Sequence, residues 1–229
     1  MKTSLMILVF VMFSSFAYSQ RENEPIENVN GPQFICLNEN PGICTYMLKN
    51  ISYPSVEEKY LIEGTVVVKF SVLPTGDLSD FKVVNSLSEN CDNAVIRAIE
   101  STQGMWKPAK VDGVPVKNEN EICVLFRIDG NDMYKYARYY AKKADELMNK
   151  GKYDRARKFY NKSIVIDPYN AATLYQRGIA SYLCGDQESA ISEFERLSEL
   201  DGSQADSTMF WIQKADNITM SVLDENIQY

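Results

Sequence analysis

A chain of 229 residues, 45% of them hydrophobic and 24% charged, has room for one large or two small globular domains, and its composition excludes the disordered classes. A net charge of -7 with no long run of Lys or Arg argues against a nucleic-acid partner, because phosphate binding needs clustered cations. No histidine is present, which removes Ser-His-Asp and Cys-His catalysis, imidazole bases and histidine-ligated metals.

Lys2 precedes an apolar run, Leu5 to Phe13, and the small-x-small pattern Ala17-Tyr18-Ser19 follows before Gln20. Residues 1–19 therefore read as a secretory signal peptide, cleaved near Ser19-Gln20. The competing reading is an uncleaved inner-membrane anchor, but a span needs about 20 apolar residues and two serines interrupt this one sooner. Residues 20–50 form a polar extension in which Cys36 and Cys44 bracket a Pro41-Gly42 turn signal. In an exported chain the two are expected to form a structural disulfide, since a redox-active pair is more often spaced Cys-x-x-Cys.

The segment 51–129 changes pattern. From Thr65 to Val72 the side chains alternate, with Val66, Val68, Phe70 and Val72 on one face and Thr65, Lys69 and Ser71 on the other, as in a half-buried strand. Pro74-Thr75-Gly76-Asp77 supplies a turn into a second strand, Leu78 to Ser86. Ser88-Glu89-Asn90 offers N-cap side chains to a helix whose stripe is Cys91, Ala94, Val95, Ala98 and Ile99. Gly104 and Pro108 stop the helix, a loop runs from Lys107 to Gly113, and a third strand is expected over Ile122–Ile128. Cys91 and Cys123 either pair or are small buried hydrophobes.

This order resembles the TonB C-terminal domain. The features that carry the likeness are Glu63-Gly64, Gly76, Val83-Val84, Ser86-Leu87, Asp92, Ala94-Val95-Ile96-Arg97, Trp106-Lys107-Pro108, Gly113 and Pro115-Val116. Tyr53-Pro54 and Glu57-Glu58 stand where the family places a Tyr-Pro and a short helix. The run Lys117 to Glu121, with Asn118, Asn120 and two glutamates, departs from the family's apolar alternation. No long proline-rich spacer follows Glu22, so the resemblance implies a docking domain without the part of TonB that crosses the periplasm.

Beyond the linker Asp129-Gly130-Asn131-Asp132 the period becomes helical over residues 133–217. A 34-residue repeat starts at Ala137 with Tyr140, Ala144, Leu147, Gly151, Tyr153, Ala156, Tyr160 and Pro168. Its second copy, 171–204, has Leu174, Gly178, Gly185, Ala190, Phe194 and Leu197. These offsets resemble the tetratricopeptide repeat, in which small residues let paired helices approach and large ones fill the gaps. Lys143 and Arg177 replace usual apolar residues. A third helix, Ala205 to about Asn217 with Met209, Trp211 and Ile212, would cap the array, leaving 218–229 as a tail. The expected fold class is an α+β domain of two-stranded hairpin, helix and third strand, followed by an all-α helical-repeat domain.

No phosphate-binding glycine loop, metal-spaced cluster or activated nucleophile is found, so no enzyme activity, cofactor or small-molecule substrate is expected. Asp77, Asp80, Glu193 and Glu195 read as solvated charge. Recognition of protein or peptide partners remains. By resemblance to TonB, an extended segment of an outer-membrane TonB-dependent receptor adds to the sheet edge at Ile122, Val124, Phe126 and Ile128. By resemblance to tetratricopeptide repeats, a groove is lined by Arg138, Ala141, Asp145 and Met148 in the first copy and Ala172, Tyr175, Ile179 and Tyr182 in the second, with Arg138, Asp145, Tyr175 and Tyr182 as the contact residues; the alternative for Tyr175 and Tyr182 is a place in the core. The leading expectation is a periplasmic interaction protein; the alternative is an envelope scaffold in which the first domain self-associates as a homodimer.

Overall fold

A computed structural model describes residues 5–13, 29–30, 33–34, 42–128 and 130–201. The chain divides into two compact units at Asn131/Asp132. In the first, strands β1 (Leu5–Phe13), β9 (Asn118–Ile128), β4 (Gly64–Val72) and β5 (Leu78–Asn85) form one antiparallel sheet in the order β1-β9-β4-β5. Short strands flank it: β2 (Val29–Asn30) pairs with β7 (Ala109–Val111), which pairs with β8 (Val114–Val116), and β3 (Gln33–Phe34) pairs with β6 (Trp106–Lys107). Helices α1 (Ile43–Asn50), α2 (Ser55–Lys59) and α3 (Glu89–Glu100) complete the unit.

One face of the sheet carries Val66, Val68, Phe70, Val72, Ile122, Val124 and Phe126. Against it pack Cys91, Val95, Ala98 and Ile99 of α3, Ile43 and Met47 of α1, and Trp106. Of the expected α3 stripe, Cys91, Val95, Ala98 and Ile99 are in this core; Ala94 is only half-buried, and Ile96 packs against the cluster in addition. Trp106 stands edge-on to Phe70 with ring centroids 5.5 Å apart, and its indole N–H donates to Thr102 Oγ1 at 2.8 Å, so a buried polar tip is satisfied. Tyr53 does the same at the other end, standing edge-on to Phe126 at 5.2 Å while its hydroxyl donates to the Ile62 carbonyl at 2.6 Å.

The expected turn forms: the Gly76 N–H donates to the Leu73 carbonyl at 2.8 Å, and Gly76 has φ 88°. A Cβ there would lie 2.6 Å from the Trp106 carbonyl oxygen, so glycine is required for space as well as for its backbone angle. Gln103 ties the turn to the end of α3, donating to Asp77 Oδ1 at 2.8 Å and accepting from the Leu78 N–H at 3.1 Å. At the helix start Ser88 accepts from the Cys91 N–H at 3.2 Å and donates to Glu57 at 2.6 Å; Asn90 also donates to Glu57 at 3.1 Å. Glu57 is therefore a buried carboxylate near a helix N-terminus, and the Ser88 hydrogen bond holds its pKa below the usual Glu value.

Three expectations are corrected. β4 is buried on both faces, with Thr65, Val67 and Ser71 as inaccessible as the apolar row, so the alternation marked chemistry rather than exposure. β9 begins at Asn118 rather than Ile122 and pairs with β4 from Val72↔Asn118 to Gly64↔Phe126. Ladder pairing to a central strand, with the Lys69–Glu119 ion pair at 3.0 Å, outweighs the weak strand preference of Asn and Glu. The Lys107–Gly113 loop is in part a hairpin, β7–β8, turned by Asp112 (φ 50°) and Gly113 (φ 81°), both left-handed as the tightest hairpin turns require.

The second unit is four helices: α4 (Met133–Met148), α5 (Tyr153–Ile166), α6 (Ala171–Leu183) and α7 (Gln187–Asp201). Three of the four starts are capped by side chains that the sequence supplies, α5 being the exception: Asp132 accepts from the Lys135 N–H at 3.2 Å, Asn170 from Thr173 at 3.0 Å and Asp186 from Ser189 at 3.1 Å. Between α6 and α7 the close approach falls on Gly178, where a Cβ would meet the Phe194 ring at 2.6 Å. Arg177 and Glu193 form a largely buried ion pair, which corrects the reading of Glu193 as solvated and explains a cation at an apolar repeat position. The expected capping helix, Ala205 to about Asn217, lies outside the described residues.

Gly76→Ala is predicted to lower stability by about 1–3 kcal/mol through left-handed strain and the clash with Trp106, measurable by chemical denaturation. Glu57 generates a pH-dependent prediction. Because its folded pKa is depressed, its stabilisation is complete above the ordinary Glu value, ~4.5, and is lost as pH falls through the lowered one. The melting temperature of Glu57→Gln should therefore fall below the parent's at pH 7 and approach it on acidification; a constant gap would show that the charge contributes nothing.

Candidate functional site

The four-stranded sheet ends in β5 on one side and in β1, laid along β9, on the other, and the two sides differ. Along β5 the ladder to β4 shifts register twice, between Val67 and Val68 and between Lys69 and Ser71, and Asp80 at the second irregularity has φ 56°. Bulges of this kind twist an edge away from further pairing. Asp80 is also held by Lys117 at 2.6 Å, which with hydrogen bonds from Ser79 and Ser71 lowers its carboxyl pKa. β9 has no such defect. Its outer side pairs with β1 from Leu5↔Ile128 to Phe13↔Asn120 without a shift.

The four edge residues expected from sequence, Ile122, Val124, Phe126 and Ile128, all lie on β9 and are 0%, 0%, 0% and 4% exposed. Ile122, Val124 and Phe126 point into the core beneath α3, so what β9 turns toward β1 is its main chain and not these side chains. Glu63 secures the end of this strand: its carboxylate accepts from the Ile128 N–H at 2.6 Å and from Asn131 at 2.7 Å. That contact accounts for the Glu63-Gly64 pair singled out by sequence.

In the second unit the expected groove residues divide. Arg138 is exposed and pairs with Asp132 at 3.7 Å. Asp145 accepts a hydrogen bond of 2.7 Å from Tyr160, whose hydroxyl pKa is pushed up by burial and by that carboxylate. Tyr175 and Tyr182, together with Met148, are half-buried against the cluster of Ile164, Leu174, Ile179, Ala190, Phe194 and Leu197. The Tyr175 ring lies 6.2 Å from Phe194. Sequence reading passed over three exposed rings: Tyr134, Tyr136 and Tyr139 on α4 are 42%, 54% and 59% exposed, and the signal for them was four tyrosines within seven residues.

Cys44 sits half-buried on α1 and carries a free thiol; its expected partner, Cys36, lies outside the described residues. Cys91 faces the α3 core while Cys123, opposite Val67, faces the other side of the sheet, so those two do not meet. Burial raises the Cys91 thiol pKa to about 11, which suits a core hydrophobe and not a nucleophile. No group of three or more His, Cys, Asp or Glu side chains able to hold a metal occurs among the described residues, nor is any described helix long and apolar enough to cross a membrane.

Residues 49–128 match the family model for the Gram-negative bacterial TonB protein C-terminal, and residues 137–170 match the tetratricopeptide repeat. The two follow one another in the order read from sequence. No curated protein matches the chain. Both families are interaction domains, and the pairing points to a protein-interaction role in the envelope.

Core and surface tyrosines of the repeats are predicted to separate on truncation. Tyr160→Ala, at a site 1% exposed, should cost about 3–5 kcal/mol through the cavity it leaves. Tyr175→Ala and Tyr182→Ala should cost less, because part of each ring already meets solvent. Denaturation of the three variants decides it; equal losses would assign all three to the core.

Proposed function

We propose that this protein is exported, loses residues 1–19, and acts in the periplasm by taking an extended segment of a partner onto the outer edge of β9. The partner class that fits the family match is an outer-membrane TonB-dependent receptor. The single observation that carries this reading is the contrast between the two sides of the sheet: β5 is bulged and charged, whereas the outer row of β9, which β1 covers and which loss of residues 1–19 would uncover, runs straight. In such docking the backbone supplies affinity and alternate side chains of the incoming strand supply selectivity. The helical repeats then serve as an adaptor for a second protein, with Tyr175 and Tyr182 as half-buried anchors and Arg138 and Asp145 as the charged margin. A Cys36–Cys44 bridge, formed by oxidation of the thiol that Cys44 carries here, belongs to the same reading, as a staple of the extension in an oxidising compartment.

The same edge also favours a second reading. A row with no device against pairing is open to a second copy of the chain, which would join two sheets antiparallel across β9 and make the protein an envelope scaffold.

A photo-crosslinking side chain at Arg127, half-exposed on β9, is predicted to capture the partner in the envelope, while one at Lys82 on β5 is not. Beta-barrel receptors in the Arg127 adduct support the first reading, and a chain dimer supports the second. Equal capture from Lys82 would overturn the assignment of the edge.

A further inference from the structure

The β9 edge is already occupied in the full chain. We propose that Leu5–Phe13 is a built-in competitor for the docking site: while attached it fills the β9 edge as an antiparallel strand, and the site opens only when the leader is removed. This rests on the reading of β9 as a strand-accepting edge.

Three observations support it. The first is extent. Nine consecutive pairs join Leu5–Phe13 to Asn120–Ile128, so almost the whole outer row of β9 is covered, leaving no length for a second strand beside it. The second is chemistry. β9 is buried on both sides, with Ile122, Val124 and Phe126 inward on one and Cys123 and Leu125 on the other. A strand added beside it meets apolar neighbours on both faces and is best served by apolar residues throughout. The sequence LMILVFVMF, with no polar residue, meets that need as a strand just as it meets the need of an export signal. The third is surroundings: α1 packs beside β1, so the leader is seated against a helix as well as against β9.

Tethering sets the strength of the competition. A segment on the same chain acts at an effective concentration of the order of mM, which a dilute partner does not match; cutting the tether removes that advantage and lets the leader leave. Processing would thus convert a closed chain into a docking-competent one. Until export the edge would also be shielded from pairing with other unpaired strands.

Hydrogen exchange on the full chain, on Val9→Pro, and on the full chain cut after Ser19 by signal peptidase tests the proposal. Val9 lies opposite Val124, and proline there breaks the ladder in its middle. The β9 amides that point away from β4 should be protected in the full chain and exchange at least ~10-fold faster in both opened forms, while the β4-facing amides stay protected. A labelled peptide of residues 5–13, flanked by lysines for solubility, should bind only the opened forms. Unchanged exchange of the outward amides on opening overturns the leader as occupant and leaves the edge reading standing. Deprotected amides with no peptide binding overturn the edge as a strand acceptor, and the competitor proposal with it. Should Val9→Pro lose protection on the β4 side as well, the peptidase-cut chain alone decides.

Discussion

The first unit depends on how β9 satisfies its main chain. A strand carries N–H and C=O groups on both sides, and burying either row unpaired costs free energy comparable to lost hydrogen bonds. β4 takes the inner row along its whole length, which is why the polar start of β9, Asn118 to Glu121, is drawn into the ladder despite its composition. The other structural devices serve that pairing. Glu63 accepts from the N–H of Ile128, Trp106 and α3 cover the apolar face, and Gly76 lets the β4–β5 turn sit against the Trp106 backbone. The outer row of β9 is the remaining requirement, and it explains why the functional question for this unit is what fills one edge.

Legibility from sequence followed how local each signal was. The β4–turn–β5–α3 order was readable because each part carries its own chemistry: alternation at Val66, Val68 and Phe70, proline and glycine at the corner, Ser88 at the helix start. Asp112-Gly113 carried an equally local hairpin signal that was passed over because the surrounding strands are only three residues long. The length of β9, the burial of Val67 and the Arg177–Glu193 pair were not legible, because each is decided by a neighbour distant in sequence. Nothing within Asn118–Glu121 announces that β4 lies alongside, just as nothing near Arg177 announces a carboxylate on α7.

The candidate sites show the same limit. Sequence placed Ile122, Val124 and Phe126 on a strand of the sheet, yet it could not tell that their side chains serve the core while the main chain pairs with a strand on each side. In the repeats, the seven-residue spacing of Tyr175 and Tyr182 gave a common helix face. Whether that face is surface or core depends on Phe194 and Leu197 of the next helix, and those residues hold both rings half-buried. A half-buried aromatic already fixed by packing loses little conformational freedom when a partner covers its remaining face, so the same contact that blurs the assignment would favour its use as an anchor.

The two edges of the sheet also bear on selectivity. An edge left straight and apolar is a hazard in any folding chain, and β5 shows the usual remedy, with two bulges and a left-handed Asp80 tied to Lys117. Applying that remedy to β9 would remove the hazard and the proposed docking row together, since both are the same N–H and C=O groups. In the described structure the row is instead covered by β1, which leaves β9 straight. Leu5–Phe13 suits that place because a strand beside a doubly buried neighbour demands an unbroken apolar run, the same feature from which the sequence reading expects an export signal.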